Sequence, residues 1–341
     1  MVLYVIGLGL SDEKDITLKG LEAVKSSEKV YLEAYTSILM VADYQKRLEA
    51  LYGKPIQLAH REVVELQSEE ILSLASTSNV SFLVVGDPLS ATTHTDLILR
   101  ARKSNPPIKV QVIHNASIST AIGSSGLQGY NFGQTVSVPF WTENWKPDSW
   151  LERILENNKI GNHTLLLGDI KVREQSEKDM ARGIERYQPP RYMLIPQLIS
   201  QLLTASSNFA SSTSSSISEL LPHNLSSSTL AVALCRMGSE DEFILSGTLG
   251  ELLQYGTTLG PNETLEDEEE VDEDLLSEIE IDALRNKRNE KIALKKFGGA
   301  LHSLVIVGKR LHHLEREYAG MYMVEGSEWN RISREVYGCE D

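Results

Sequence analysis

Short apolar runs alternate with helical patterns from the first residue to about residue 113, and this alternation constrains the fold more than any other feature. Val2 to Gly9 reads as a strand, Thr17 to Ser26 as a helix and Lys29 to Glu33 as a second strand. Glu69 to Ala75 has helical spacing, and Val80 to Val85 is a continuous apolar run suited to a strand buried on both faces. Thr95 to Lys103 follows as a helix and Ile108 to Ile113 as another strand. Such alternation predicts a parallel sheet with right-handed crossovers, hence an N-terminal α/β domain over residues 1–113.

The pattern then becomes less regular. Helices are predicted at Ser117 to Ser124 and Trp150 to Asn157, with strands at Thr135 to Val138, His163 to Leu167, Thr229 to Leu234, Glu242 to Leu245 and Ser303 to Val307. A second, mixed α/β domain over 114–318 fits these unequal spacings, leaving 319–341 as a C-terminal tail. Two stretches interrupt it. Residues 206–228 hold eleven serines and too little apolar spacing to pack, so they read as a flexible loop. Residues from about 256 to 298 form an acidic insert, in which Leu275, Leu276, Ile279 and Ile281 mark at most a short amphipathic helix.

Charge is concentrated in that insert. Glu263 to Asp282 carries twelve acidic residues and no Lys or Arg, which accounts for all but three units of the formal net charge of −15. The basic field that grips nucleic acid through its phosphates is therefore missing. Cys235 and Cys339, the only cysteines, stand far apart, which excludes a disulfide framework and argues against a cysteine metal site. The apolar start lacks a basic leader, and no run approaches the ~20 apolar residues of a membrane span, so a cytoplasmic protein without membrane or metal is expected.

Four strand ends carry small or acidic residues. Gly7-Leu-Gly9-Leu10 resembles the start of a dinucleotide fingerprint, with Glu33 as the ribose acid, but Asp12 stands where the third glycine is needed. With Glu13 and Asp15 alongside, this turn suits a ligand without phosphates. Gly86-Asp87-Pro88-Leu-Ser90 follows the most hydrophobic strand, so Asp87 is placed to accept hydrogen bonds from a ribose or an amine. His94 is a candidate base, although capping or an exposed position explains it more simply. Asn115-Ala-Ser117-Ile118 and Gly168-Asp169-Ile-Lys171 repeat the strand-then-polar-turn arrangement, with Ser117 also a natural helix cap. Gly-x-Ser-x-Gly, the phosphate loop and His-Glu-x-x-His do not occur.

These motifs, in longer form, resemble the diphthine synthase family, including its eukaryotic diphthine methyl ester synthases. The resemblance runs through Leu3 to Ser11, Asp15 to Ala23, Val30 to Leu39, Val84 to Pro88, Ala91 to Asp96, Ile113 to Ile118, Trp141 to Ser149, Asp169 to Gln175, Pro189 to Met193 and Leu301 to Ile306. It implies a tetrapyrrole-methylase-like fold, two α/β domains with S-adenosylmethionine in the interdomain cleft, commonly in a homodimer. The family's cofactor contacts fall on Leu10, Asp87, Ser90, Ser117, Ile118, Gly168, Met237 and His302. Ser90 and Gly168 depart from the residues usual in the family, glycine and a larger apolar residue respectively.

The resemblance further implies methylation of an amino-carboxypropyl-modified histidine of translation elongation factor 2, three times on the amine and once on the carboxylate. A sulfonium methyl is already activated, so alignment provides most of the catalysis and no covalent nucleophile is needed. Asp169, Glu174 and His94 are candidates to accept the amine's proton, and none is assigned as catalytic. Trp141, Trp145, Lys146, Trp150, Lys171, Arg173 and Arg191 are candidate anchors for the protein substrate, with Lys171 and Arg173 expected on one face of an extended segment. A non-catalytic scaffold on the same fold and a small-molecule methylase of the tetrapyrrole type are the alternatives.

Overall fold

The computed structural model describes residues 1–173, 182–184, 186–212, 225–261, 263–265 and 278–340. The chain divides into two compact units. One comprises Met1–Ala121 with Ile170–Arg191 and Met237–Glu240, and the other comprises Ile122–Asp169, Tyr192–Arg236 and Asp241–Asp341.

The first unit is built on strands β1 (Val2–Gly7), β2 (Lys29–Glu33), β3 (Gln57–Ala59), β4 (Val80–Val84) and β5 (Lys109–Ile113). They form one parallel sheet in the order β3-β2-β4-β1-β5. Helices α1 (Leu18–Ser26), α2 (Tyr44–Tyr52), α3 (Glu69–Thr77) and α4 (Thr95–Lys103) make the crossovers, and α5 (Ile118–Ala121) follows β5. Alternation along β1 sends Leu3 and Val5 to one face, where they meet Phe82, Ile71 and Leu97. Ile6 points to the other, beside Val24, Leu32, Leu48 and Leu83. With both faces covered, every residue of β4 is buried, as its uninterrupted apolar run predicts. Each large aliphatic or aromatic side chain so buried stabilises the fold by about 1.5 to 3 kcal/mol.

The second unit has strands β6 (Val136–Val138), β7 (Thr164–Gly168), β8 (Leu230–Cys235), β9 (Phe243–Thr248) and β10 (His302–Ile306), in the order β9-β8-β10-β7-β6. Only β6 and β7 are parallel, so the sheet is mixed. Helices α6 (Ser149–Ile160), α7 (Ile195–Ser212), α8 (Leu249–Thr257) and α9 (Glu278–Phe297) belong to this unit, and its main core includes Leu151, Ile154, Leu198, Leu202, Leu252 and Phe297. Helices α10 (His313–Gly320) and α11 (Trp329–Glu335) complete it.

Three segments depart from the sequence expectations. Helix α7 continues through Ser206 to Ser212, because Leu198, Leu202, Ala205 and Phe209 recur on one face and the Ser206 hydroxyl donates to Leu225 O at 2.8 Å. A loop therefore does not begin at Ser206. The acidic stretch gives way to α9, whose Ile292, Ala293 and Phe297 are buried, so its last turns are packed rather than solvated. Leu275 and Leu276 lie outside the described residues. The final segment is no tail either: Trp329 and Ile332 are buried, and Trp329 Nε1 donates to Arg316 O at 3.0 Å. Among the described residues no helix is long and apolar enough to cross a membrane.

Candidate functional site

In the first sheet the chain leaves β1 toward β2 on one side, whereas it leaves β4 toward β5 on the other. The adjacent carboxyl ends of β1 and β4 thus flank a reversal of strand order, where parallel sheets open a ligand crevice. Gly9 and Gly86 pair across this point, with Gly9 N donating to Gly86 O at 3.2 Å and Gly86 N to Gly9 O at 2.7 Å. Gly9 has φ +87° and a Cβ there would stand 2.5 Å from Asp15 Cβ, so only glycine fits.

The acidic turn after β1 is folded on itself. Asp15 Oδ2 accepts from Leu10 N at 3.1 Å and Ser11 N at 2.7 Å, the backbone donors a phosphate would need. Glu33, the ribose acid of the dinucleotide pattern, is also unavailable. It lies on β2, separated from β1 by β4, and is fully buried with Oε1 accepting from Tyr35 N and Thr36 N and Oε2 from Thr36 Oγ1. Burial raises its carboxyl to about 7 despite those bonds. Both features agree with a ligand that carries no phosphate.

Asp87 ties together the loops after β4 and β5. Its Oδ1 accepts from Leu89 N at 2.9 Å, while Oδ2 accepts from Asn115 N at 3.1 Å and meets His114 Nδ1 at 2.8 Å. A carboxylate has about four acceptor sites, so Asp87 retains capacity for a ligand donor beside this structural work. Asn115 reaches the other way, its Nδ2 donating to Gly7 O at 3.0 Å and Asp15 O at 2.9 Å. The sequence predicts no such tie for Asn115, although a polar side chain directly after a strand end is its signal.

Ser117 does not cap α5 with its side chain. Its hydroxyl donates to Ser90 Oγ at 3.2 Å, and Ser90 Oγ lies 2.8 Å from Ser119 Oγ, so three hydroxyls form a chain between the two loops. Ile118 opens α5, half-buried. Met237 is buried, and at its neighbour Gly238 a Cβ would stand 2.9 Å from Leu10 Cβ. The fold of the first unit thus gathers Leu10, Asp87, Ser90, Ser117, Ile118 and Met237 around the ends of β1, β4 and β5.

Gly168 and His302 belong to the second unit. A side chain at Gly168 would press on Met193, whose Cβ stands 3.0 Å from the Cβ position, so the departure from a larger residue here is compatible with close packing. His302 is buried, with Nε2 donating to Gly299 O at 2.9 Å. Burial lowers its basicity to about 4, which keeps the ring neutral, and Nδ1 is a buried acceptor with no partner among the described residues.

The base and docking candidates fare differently. His94 is neither exposed nor a side-chain cap: it is fully buried edge-on to Phe82 and Tyr35, and burial drops it to about 4. It sits too deep to accept a substrate proton. Asp169 Oδ2 accepts from Phe140 N at 3.0 Å, and Glu174 lies outside the described residues. Trp150 is core, and Trp141 is half-buried with Nε1 donating to Pro147 O, leaving Trp145 as the exposed tryptophan of the three. Lys171 ends a two-residue strand and Arg173 lies beyond it in a bend, so the expected shared strand face does not form. Lys146 and Arg191 are exposed. A groove of about 670 Å³ beside Trp145, lined by Gln134, Glu152, Arg153 and Glu156, contains none of the candidate cofactor residues.

Comparison with known proteins places these features in a family. Residues 2–253 match the family model of tetrapyrrole (corrin/porphyrin) methylases. A diphthine methyl ester synthase from Gibberella zeae is 44% identical over 337 residues, covering 99% of each chain. One from Saccharomyces cerevisiae is 47% identical over 317 residues, or 93% of this chain and 88% of the relative. The crystal structure of a diphthine synthase superposes with a TM-score of 0.69 at 26% identity, covering 98% of this chain and all of the other. The chain belongs to the tetrapyrrole methylases and, within them, to the diphthine methyl ester synthases.

Proposed function

We propose that this methyltransferase uses S-adenosylmethionine to methylate the amino-carboxypropyl-modified histidine of translation elongation factor 2, with three transfers to the amine and one to the carboxylate. The observation that carries the cofactor assignment is the chemistry at the β1, β4 and β5 ends. There a carboxylate and a chain of serine hydroxyls are present, and the backbone donors suited to phosphate are consumed by Asp15. Hydroxyls and amines of a nucleoside and an amino acid donate to such acceptors. His302 Nδ1, a buried acceptor without a partner among the described residues, suits a ligand hydroxyl or amine in the same way.

Within this reading Asp87, Ser90 and Ser117 orient the cofactor by hydrogen bonds, Leu10, Ile118 and Met237 exclude water, and Gly168 and His302 are further proposed cofactor contacts. The cofactor supplies an electrophilic methyl when bound. The chain supplies alignment of the acceptor and a dry environment, which raises the effective concentration of the nucleophile. The repeated transfers to the amine each require a neutral amine first, and water serves that proton without an assigned base.

The enzyme is further proposed to act in the cytoplasm and as a homodimer. Cys235 and Cys339 are both buried, in keeping with a reducing compartment. Leu314, Tyr318 and Met321 are exposed on and just after α10, and an apolar surface of this kind suits a second copy of the chain. Light scattering tests the dimer, with Leu314→Glu expected to yield monomer.

The function is tested by incubating the chain with S-adenosylmethionine and elongation factor 2 bearing the unmethylated amino-carboxypropyl histidine. Mass spectrometry of the modified peptide should show up to four added methyl groups. Absence of any transfer while the cofactor binds in calorimetry would overturn the substrate, and absence of binding would overturn the cofactor.

A further inference from the structure

The carboxyl ends of β2 and β3 hold a second group of polar residues apart from those at β1, β4 and β5. After β2 comes Tyr35, and after β3 come His60 and Arg61, the two ends joined by Ala34 N donating to Ala59 O at 3.1 Å. The Arg61 guanidinium lies over the Tyr35 ring, 5.2 Å from its centre. Arg173, in the returning segment of the same unit, lies over the Tyr187 ring at 3.9 Å. Arg173 is near enough to His60 for its charge to join burial in lowering the imidazole's basicity.

Neither guanidinium has a carboxylate within ion-pair distance among the described residues, although the chain carries a net charge of −15. Stacking on an aromatic face fixes the plane of a guanidinium and leaves its N–H edge free, the geometry that recognises a carboxylate. Polar atoms beneath are incomplete as well. The Tyr35 hydroxyl is buried and comes near Thr93 without completing a hydrogen bond, and His60 Nδ1 is buried without a partner among the described residues. An anionic side chain is close too: Glu65, whose Oε1 accepts from Thr93 Oγ1 at 3.2 Å, lies within electrostatic range of the same tyrosine hydroxyl. Glu33 is within electrostatic range of Arg61, and Glu62 of His60, so cations without an ion pair among the described residues stand beside acids, which matches a zwitterion better than a simple anion.

We propose that Arg61 and Arg173, with Glu65 beside them, form a binding site for the α-amino-carboxylate of an amino-carboxypropyl group. The arginines take the carboxylate in a bidentate manner and Glu65 faces the ammonium. The proposal rests on the function given above, in which this group occurs twice, on the modified histidine of the acceptor and as the methionine end of the cofactor. On the acceptor the site would confer specificity, because a histidine without the added group offers neither charge.

The test uses Arg61→Gln, Arg173→Gln and the corresponding lysine variants in the full chain, with circular dichroism melting to confirm folding. If the site reads the acceptor, each glutamine variant raises the KM for the modified elongation factor by roughly tenfold and leaves the cofactor Kd unchanged, and lysine restores part of the loss. If it reads the methionine end, the cofactor Kd rises instead, which upholds the site and assigns its source. No change in either constant overturns the proposal. Free 2-aminobutyrate, titrated by saturation-transfer NMR without cofactor, separates this from the functional reading. Binding to the wild type that is lost in Arg61→Gln supports the site even if no methyl transfer is found, and equal signals from both proteins overturn it.

Discussion

His163 Nε2 stands 3.2 Å from Glu315 Oε1 with both side chains fully buried in the second unit. Because His163 Nδ1 accepts from Gly308 N at 2.9 Å, the proton of the neutral ring is on Nε2 and points at the carboxylate. Glu315 also accepts from Gln128 N and His312 N, both at 2.7 Å, and thereby joins the start of α10 to the loop before β6.

This carboxylate should govern acid stability. Burial pushes Glu315 upward, but the bonds from His163, His312 and Gln128 outweigh it and hold the group at about 2, below its ordinary 4.5. The unfolded chain therefore binds the proton first on acidification. The contribution is complete above about pH 4.5 and is lost as pH falls toward 2. Glu315→Ala should cost about 3 to 5 kcal/mol at pH 7 in urea denaturation, and its stability should be flatter than wild type across that window. A loss below 1 kcal/mol would show that the network is not structural.

His94 contributes at higher pH. Burial lowers it from 6.5 to about 4, so stability is full above about pH 6.5 and declines as pH drops to 4, where the unfolded state alone is protonated. Both ring nitrogens lack partners among the described residues. His94→Leu should raise stability at pH 7 by about 1 kcal/mol and weaken the decline between pH 6.5 and 4. An unchanged pH profile in denaturation would rule out His94 as its source.

Asp87→Ala removes the acceptor for Leu89 N, Asn115 N and His114 Nδ1 in one step. The loops after β4 and β5 lose their common tie, and cofactor Kd in calorimetry should rise by roughly tenfold or more. Wild-type affinity in this variant would remove Asp87 from the site.

Gly9→Ala places a Cβ against Asp15 and forces a left-handed conformation on alanine. The expected cost is about 1 to 3 kcal/mol in chemical denaturation, together with weaker cofactor binding because Asp15 orders the Leu10 turn. Retained stability and affinity would show that the turn relaxes freely.

Replacing residues 213–224 by a Gly-Ser linker should leave the methyl-transfer rate within about threefold of wild type. Beginning the replacement at Ser206 should instead lower stability, since it removes the buried Ser206 bond to Leu225 and the packing of Phe209 in α7. Equal denaturation midpoints for the two replacements would contradict that role of the helix end.

Much of this protein was legible from contiguous residues. The alternation through β1, α1, β2, β4, α4 and β5 predicts the parallel sheet, because side-chain period and turn chemistry are local properties. The Gly-rich and Asp-containing strand ends were visible for the same reason. The short strand β3 and the terminal helices α10 and α11 were missed, as too few residues carry their pattern.

What tertiary structure decided was which ends meet. Insertion of β4 between β1 and β2 removes Glu33 from the glycine turn and sets Gly86 and Asp87 there instead. His94 became core and Ser117 turned from cap to partner of Ser90 because neighbours distant in sequence closed around them. Arg61 and Arg173, more than a hundred residues apart, share the His60 corner only in the folded unit. Strand order depends on long-range pairing and burial, which no local period encodes, so the residues a fold brings together are settled only when the sheet is complete.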